Sequence, residues 1–316
     1  MSVIRKPSTE YRSRFKEWDK RSWVRAKPHR LEQFSSNLEY YSEKVAILFQ
    51  HDEIKNVDPN TKKELLILHL YNYLEFTVWL EMGPVNEVCD MLRRQSFLPW
   101  LPTQMKDDAF KIYVDEGGHA EMSHSLTKAV EDNTGVKSLK IEPGFLRILD
   151  NIVKNEEPEF ISIIKLFFVI ISETLITGTL VDLPKDPTVQ KAVQELAADH
   201  ASDEGRHHAY FKQVFEYVWP RLPREMKLKI GTLLPEMILA FLAPDKRVLI
   251  KILEAFPNKF TTPGRIVEDI IENEQTKQGI LESATPTLTI FMNNNLFDET
   301  PIKNAFVAKN LFKIKS

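Results

Sequence analysis

Two short segments of the chain carry the same pattern of acids, glycine and histidine. DEGGH occupies residues 115–119, and 88 positions later DEGRH occupies residues 203–207. In a helix, positions i and i+3 lie on one face, so the glutamate and the histidine of each segment point the same way. Each pair can supply two ligands to one metal ion. The repeat therefore predicts two halves of a single metal site.

Three more residues complete the pattern of a two-metal site in a four-helix bundle. Such sites take one Glu from each of two helices and a Glu-x-x-His from each of the other two. Glu173 lies 31 residues before Glu204, and Glu81 lies 35 residues before Glu116. His200 adds an imidazole one turn before Glu204, on the same face. The predicted metal ligands are Glu81, Glu116, His119, Glu173, His200, Glu204 and His207.

The helix that supplies the first acid contains a second candidate. Glu75 lies six residues before Glu81 and therefore on a different face. We favour Glu81, which shares a face with apolar residues, and keep Glu75 as the alternative. Pro84 is expected to bend this helix just past the ligand.

The charge of the predicted site indicates which cofactor it holds. Four buried carboxylates without counterions would be too costly for an ordinary domain, and two divalent cations balance them. Mixed Glu and His ligands suit iron or manganese better than a structural zinc, which prefers cysteines. We therefore predict two iron ions, with manganese or a mixed Mn/Fe pair as the alternative, and oxygen activation as the use.

Residues beside the ligands have predicted supporting roles. Asp115 and Asp203 each precede a ligating glutamate and are predicted to orient ligand imidazoles, the alternative being acids that face solvent. Gly117, Gly118 and Gly205 are costly inside helices, so we expect them to leave cavity space beside the metals or to admit a helix bulge. No catalytic residue beyond the ligands is predicted.

The elements that must position these residues are helices. Only ten glycines occur in 316 residues, and strict apolar/polar alternation is scarce. We predict an all-α, ferritin-like four-helix bundle in a single domain, with an N-terminal arm (1–37) and a loop-like C-terminal extension (257–316) in which 264–282 is one candidate helix. Phe76, Trp79 and Tyr113 are predicted core aromatics. The predicted helical segments are 38–55, 61–95, 105–131, 144–183, 187–219, 223–241 and 245–256.

Composition excludes several classes of protein. Forty-five acidic and 42 basic residues, without a basic run that could neutralise a phosphate backbone, make nucleic acid an unlikely partner, so none is predicted. The apolar run 160–183 contains Lys165 and Glu173, which favours a central bundle helix over a membrane span. The single cysteine, Cys89, and the polar N-terminus predict a cytoplasmic protein.

The ligand pattern resembles that of the p-aminobenzoate N-oxygenases, the AurF-like di-iron enzymes, over roughly residues 60–225. His200 in HASDEGRH is the most specific feature, because ferritins typically have one Glu-x-x-His per helix without this extra imidazole. All seven ligand positions of the family are present. The resemblance implies a helical, dimeric enzyme whose reduced di-iron centre uses O2, through a peroxo-diferric species, to oxidise an amine to hydroxylamine and on to nitroso or nitro.

Electrons and substrate must come from outside the chain. The sequence contains neither a Gly-rich dinucleotide fingerprint nor a cluster of iron-sulfur cysteines, so a separate reductase or ferredoxin is implied. The segment LEFTVWL before Glu81 has no Lys or Arg, so the amine, free or tethered to a carrier protein, is not assumed to be p-aminobenzoate. The alternatives are another soluble di-iron oxygenase, such as a desaturase or hydroxylase, and a non-catalytic ferritin-like iron-binding protein.

Overall fold

The chain is helical throughout the part that the structure describes. The structure, a computed structural model, describes residues 10–27, 34–175 and 177–312. Within these ranges the sole β-type pairing is an isolated bridge between Glu39 and Val189. The predicted all-α, ferritin-like class is confirmed.

The described part of the chain contains fifteen α-helices. They are α1 (Trp18–Arg21), α2 (Trp23–Ala26), α3 (Asp52–Lys55), α4 (Pro59–Leu80), α5 (Asn86–Arg93), α6 (Thr103–Thr134), α7 (Gly144–Val153), α8 (Pro158–Leu175), α9 (Thr177–Asp182), α10 (Lys191–Val218), α11 (Arg224–Leu242), α12 (Lys246–Glu254), α13 (Pro263–Glu272), α14 (Glu274–Asn293) and α15 (Thr300–Ala308). A single wide π-turn, Glu81–Val85, joins α4 to α5. Helices α4, α6, α8 and α10 pack together at the centre, and the predicted ligands lie on α6, α8 and α10 and at the start of the π-turn that follows α4.

Local sequence explains where the ligand-bearing helices begin and end. Asp58 caps α4 by accepting hydrogen bonds from the amides of Asn60 and Thr61, and Pro59 occupies its first position. Helix α6 ends at Gly135, whose φ of +75° is the left-handed conformation that favours glycine at a helix C-terminus. These signals fix where α4 begins and where α6 ends.

Pro84 has the effect that the sequence predicted. Proline lacks an amide hydrogen and clashes with the preceding helical turn, so it kinks or interrupts an α-helix. The chain widens into the π-turn Glu81–Val85, where Gly83 takes a non-helical φ of −94° and ψ of −108°, and then resumes as α5. The wide turn begins at Glu81 itself, so it helps to set the direction of this side chain.

Helix α8 is the most apolar element of the bundle. Residues 158–185 are long and apolar enough to cross a membrane by length and composition, but 81% of that apolar window is buried inside the fold. The aromatic and aliphatic side chains of α8 pack against α10, α11 and α14. Burial on this scale is typical of the central helix of a bundle.

Several predicted elements differ from the structure. Residues 38–55, predicted as one helix, form turns with only a 3₁₀ turn (Ile47–Gln50) and the short α3. The segment 144–183 is broken before Pro158, because the residue preceding a proline disfavours the helical conformation. The C-terminal extension, predicted as loop-like, contains α13, α14 and α15, so that prediction was wrong; the apolar faces of these helices complete the core.

Two of the three predicted core aromatics are on the surface. Trp79 is 41% exposed and Tyr113 is 40% exposed, whereas Phe76 is half-buried against Phe145 and Phe241. Helical spacing alone does not say which face of a helix meets a neighbour. The prediction for Trp79 and Tyr113 was therefore wrong.

Candidate metal centre

The seven predicted ligands lie together in the middle of the bundle. Glu81 follows α4, Glu173 lies on α8, and the remaining five lie on α6 and α10. Each of the seven side chains is at most 2% exposed. Side chains that are more than 100 residues apart in sequence thus share one buried volume.

Their ligand atoms form two overlapping groups. The first group contains Glu81, Glu116, His119, His200 and Glu204, and the second contains Glu116, Glu173, Glu204 and His207. Within each group all ligand atoms lie within 4.8 Å of one another. Glu116 and Glu204 belong to both groups. This arrangement, in which two ligand groups share two carboxylates, fits a di-metal site.

Each histidine of the two Glu-x-x-His pairs turns one ring nitrogen toward the glutamates. His119 Nδ1 lies 3.1 Å from Glu116 Oε2, and His207 Nδ1 lies 2.9 Å from Glu116 Oε1 and 3.2 Å from Glu204 Oε1. The opposite nitrogen, Nε2, points away from the cluster in both rings. A proton on Nε2 would leave the Nδ1 lone pair free for a metal ion.

Asp115 and Asp203 meet the outward nitrogens, and they do so crosswise. Asp203 Oδ2, on α10, lies 3.2 Å from His119 Nε2 on α6. Asp115 Oδ2, on α6, lies 3.3 Å from His207 Nε2 on α10. Both aspartates are fully buried, which does not fit the alternative of acids that face solvent. Each helix therefore orients the imidazole of the other, as expected for carboxylates behind metal-binding histidines.

The N-terminal arm supplies further contacts to the same aspartates, and nothing in the sequence pattern pointed to them. Trp18 Nε1 donates to both oxygens of Asp115, at 2.9 and 3.0 Å, and Ser22 Oγ donates to Asp115 Oδ1 at 2.6 Å. The backbone amide of Trp23 donates to both oxygens of Asp203, at 3.1 and 3.0 Å. The arm thus covers the side of the cluster on which the two aspartates lie.

Burial raises the pKa of the ligand glutamates, whereas nearby positive charges lower it. Burial raises the pKa of Glu173 well above its usual value, and the neighbouring charges of Glu204 and Glu116 raise it further. Burial also raises the pKa of Glu204, but the charge of His207 and hydrogen bonds from His200 and His207 outweigh it and hold that pKa well below the usual value. Glu204 is therefore the more acidic and Glu173 the less acidic of these two glutamates.

For the ligand histidines, burial lowers the pKa and nearby carboxylates raise it. Burial and repulsion from His119 lower the pKa of His200, but the carboxylates of Glu81 and Glu204 outweigh both and raise it to about 9. Protons on the imidazoles can therefore balance the acids when metal is absent. The sequence argument, in which two divalent cations balance the four carboxylates, treated the imidazoles as neutral, whereas a protonated His200 also carries positive charge.

Unpartnered oxygen atoms make the cluster a good fit for metal ions. Among the described residues, the Oε2 atoms of Glu81, Glu173 and Glu204 are buried and accept no hydrogen bond. A buried polar atom without a partner costs about 1–3 kcal/mol. Hard divalent cations held by these oxygens and by imidazole nitrogens would satisfy them.

Glu75, the alternative first ligand, and two further histidines near the repeated motifs lie outside both groups. Glu75 accepts a hydrogen bond from Ser138 Oγ at 3.3 Å instead of joining the cluster. His124 is exposed, and His208 is half-buried beside α8. The structure therefore brings Glu81, and not Glu75, to the ligand cluster.

Of the three glycines near the ligands, Gly118 makes room for a neighbouring segment of the chain. A Cβ atom built on Gly118 would lie 2.2 Å from Val24 Cγ2, so this glycine allows the arm to pack closely on α6. Cβ atoms on Gly117 and Gly205 would meet no atom within 4 Å, and Gly205 is exposed. Helices α6 and α10 continue without a bulge through all three positions, and the wide turn lies at Glu81 instead.

We expect Gly118→Ala to lower the free energy of unfolding by about 1–3 kcal/mol, because the new methyl group overlaps the stiff side chain of Val24. The gain in helix propensity, about 1 kcal/mol, offsets part of this cost. Adding Val24→Ala should restore most of the lost stability. Denaturant unfolding of the metal-free proteins measures both effects, and a Gly118→Ala variant as stable as the native chain would contradict the close packing.

An all-α bundle in which four helices direct buried Glu and His side chains to two overlapping ligand groups defines a ferritin-like protein with a di-metal carboxylate centre. The chain belongs to the p-aminobenzoate N-oxygenase AurF family, whose pattern it matches over residues 11–293. This family consists of di-iron N-oxygenases, so the chain is an oxidoreductase. Comparison with curated proteins gave no match.

Proposed function

We propose that the chain is a di-iron N-oxygenase that uses O2 and external electrons to oxidise an amine to a hydroxylamine, and in further rounds to nitroso or nitro. The observation that carries this proposal is the pair of ligand groups sharing Glu116 and Glu204, with His200 as the extra imidazole of the first group. One round consumes an amine, O2, two electrons and two protons, and yields a hydroxylamine and water.

Each ligand has a proposed place in the centre. Glu116 and Glu204, which belong to both groups, would help to hold both ions, Glu81, His119 and His200 would hold one of them, and Glu173 and His207 would hold the other. Iron bound here supplies the activation of O2; the residue types also suit manganese. The protein holds the ligands in fixed directions and keeps water away, since the surrounding faces of α8 and α10 are apolar.

A cavity beside α4 is the proposed binding site for the amine. Its volume is about 830 Å³, and its lining includes His69, Tyr73, Phe76, Phe145 and Phe241. Tyr73 in this lining lies within the electrostatic influence of the metal centre: burial raises its pKa well above the usual value, and the charges of Tyr41, Glu81 and Glu204 raise it further. An aromatic or other apolar amine would fit such a wall.

The cavity also has basic residues, which the segment before Glu81 lacks. Those in its lining are Arg147, Lys246, Arg247 and Lys251. Of these four, Arg147 makes the longest ion pair with the protein's own acids, since its guanidinium lies 4.0 Å from the carboxylate of Asp245. A substrate with a carboxylate, such as the p-aminobenzoate in the family's name, is therefore compatible with this cavity, and the cation of Arg147 would bind it.

Other partners are inferred from what the reaction needs. Electrons would come from a separate reductase or ferredoxin, because the chain offers one cysteine and no dinucleotide fingerprint. The exposed large apolar side chains Trp79, Met82, Phe110 and Tyr113 would suit contact with a second copy in a homodimer. A reducing cytoplasm is compatible with the single, buried Cys89.

The test combines metal analysis with turnover. Protein loaded anaerobically with ferrous iron, reduced chemically and exposed to isotopically labelled O2 should contain about two irons per chain. It should convert amines to hydroxylamines that carry the label, as followed by mass spectrometry. The panel should contain p-aminobenzoate, aniline, which lacks the carboxylate, and an aliphatic amine.

His200→Ala is the informative variant, because it removes the extra imidazole and leaves both Glu-x-x-His pairs in place. We expect it to remain folded, to keep iron in the second ligand group and to lose most of the amine oxidation. A native protein that folds with zinc alone, or that holds two irons and oxidises none of the amines, would overturn the proposed function.

A further inference from the structure

The docked arm, which we define as residues 10–27, touches the metal centre through its two aspartates. It reaches Asp115 with two side-chain donors, Trp18 Nε1 and Ser22 Oγ. It reaches Asp203 with a backbone amide, that of Trp23. The arm therefore holds both of the carboxylates that face the ligand imidazoles.

The two aspartates differ in how much they depend on arm side chains. Asp203 also accepts a hydrogen bond from Arg206, one turn away on its own helix. The donors that hold Asp115 from the side away from His207 are Trp18 and Ser22. Two donors from different directions fix the plane of a carboxylate, so that the Oδ2 atom of Asp115 remains directed at His207 Nε2, 3.3 Å away.

The two imidazoles also belong to different halves of the metal centre. His207 is a member of the second ligand group alone, whereas His119 is a member of the first alone. Phe15 of the docked arm lies against the His207 ring, with centroids 6.1 Å apart and planes inclined by 14°. The arm therefore contacts His207 in two ways: indirectly through Asp115, and directly through the ring of Phe15.

We propose that Trp18 and Ser22 are positioning residues that act through Asp115 on His207, and so set the affinity of one of the two metal positions. This inference rests on the proposed metal centre. Carboxylates behind ligating histidines fix the ring and its tautomer, and their loss typically costs about 10–100-fold in metal affinity. Loosening Asp115 should therefore weaken the ion held by Glu173 and His207 and spare the ion held by His119 and His200.

The experiment uses Co²⁺ as a probe whose visible absorption reports each ion taken up by the metal-free, full-length protein. The double variant Trp18→Phe and Ser22→Ala removes both donors but keeps ring and volume. We expect the native protein to bind two Co²⁺ ions per chain, and the double variant to bind one of them about 10–100-fold more weakly. Ser22→Thr in the Trp18→Phe background retains a hydroxyl and should restore part of the loss.

Tyr11→Phe is the matched control. Tyr11 belongs to the same arm and donates to Asp108 on α6 at 2.7 Å, but no ligand histidine lies behind that carboxylate in the described contacts. The control should bind both ions as the native protein does. Denaturant unfolding of each metal-free variant reports whether the fold is intact.

The outcomes separate this inference from the proposed metal centre. If the native protein binds fewer than two ions, the metal centre itself is wrong. If the native protein binds two and the double variant binds both equally well, or loses both equally, the positioning role is wrong. An equal effect of Tyr11→Phe would also overturn it, since docking of the arm in general would then explain the loss.

Discussion

Glu204→Gln should release both metal ions and abolish amine oxidation, the largest effect expected of any single substitution here. Glu204 belongs to both ligand groups, and a neutral amide is a poor substitute for a bridging carboxylate. Metal content should fall from about two ions per chain to less than one. Metal analysis after dialysis against a weak chelator, together with turnover of the best amine, measures the effect.

Glu173→Gln is the matched control for Glu204→Gln, because Glu173 is also a buried glutamate but belongs to the second ligand group alone. It should lose one ion and retain the other. If Glu204→Gln kept two ions, or if both variants lost the same number, Glu204 would not bridge.

Stability must be followed in the same experiment. In the metal-free protein the ionised Glu204 faces His200 and His207, and removing one partner of a buried ion pair typically costs about 3–5 kcal/mol. That is a large part of the stability of an ordinary domain, about 5–15 kcal/mol. The amide is used instead of alanine because it keeps the volume and can still form hydrogen bonds with the imidazoles.

Local spacing was enough to predict which Glu and His side chains the structure gathers into one buried cluster. A Glu-x-x-His pair fixes two ligands on one helical face without knowledge of the rest of the fold, and the pattern repeats. The place of Glu81 was less certain from sequence, because Pro84 disturbs the helical period that distinguishes it from Glu75. The structure resolves this with a wide turn that begins at Glu81 and directs it to the cluster.

Contacts between distant segments could not be predicted in this way. Trp18 and Ser22 lie 97 and 93 residues from Asp115, and no local period links them. The same limit explains Gly118, whose missing side chain makes room for Val24 of the arm. Glycines beside metal ligands suggested space for a substrate, but the neighbour that needs the space was invisible in the sequence.

The apolar pattern also predicts where helices lie better than it predicts which faces of those helices are buried. Trp79 and Tyr113 follow the helical period of α4 and α6 yet remain exposed, while the polar-looking C-terminal region folds into three helices. Residues 38–55 have a helix-like pattern but contribute buried aromatic side chains, among them Tyr40 and Tyr41, from irregular backbone. Tertiary packing overrides local preference at such positions.

The affinity for metal should rise steeply between about pH 6 and pH 9, as the centre must give up protons to take up ions. Burial lowers the pKa values of His119 and His207, but hydrogen bonds and the charges of nearby carboxylates outweigh it and hold both well above the usual range. The pKa of His200 is raised to about 9. At neutral pH the metal-free imidazoles are therefore protonated, whereas a metal ion binds the neutral ring.

The acids add to the same trend. Burial raises the pKa of Glu81 to about 7 and the pKa of Glu173 well above its usual value, so these carboxyls also release protons when they bind cations. Each proton released makes affinity rise about tenfold per pH unit. Competition with a chelator of known pH dependence measures the slope, and calorimetry in buffers of different ionisation enthalpy counts the protons. Uptake of two ions without proton release would contradict this assignment of charges.

The metal-free fold should show the opposite dependence on pH. His200 has a folded-state pKa above its ordinary value of 6.5, so its contribution to stability is fully present below that value and is lost as pH rises through about 9. Once metal has replaced the proton, this loss should disappear, because the ion and not the proton then balances the acids. Unfolding midpoints of the metal-free and metal-loaded protein should therefore diverge as the pH is raised from about 6 toward 9, and parallel curves would mean that protons and metal ions do not compete for the same atoms.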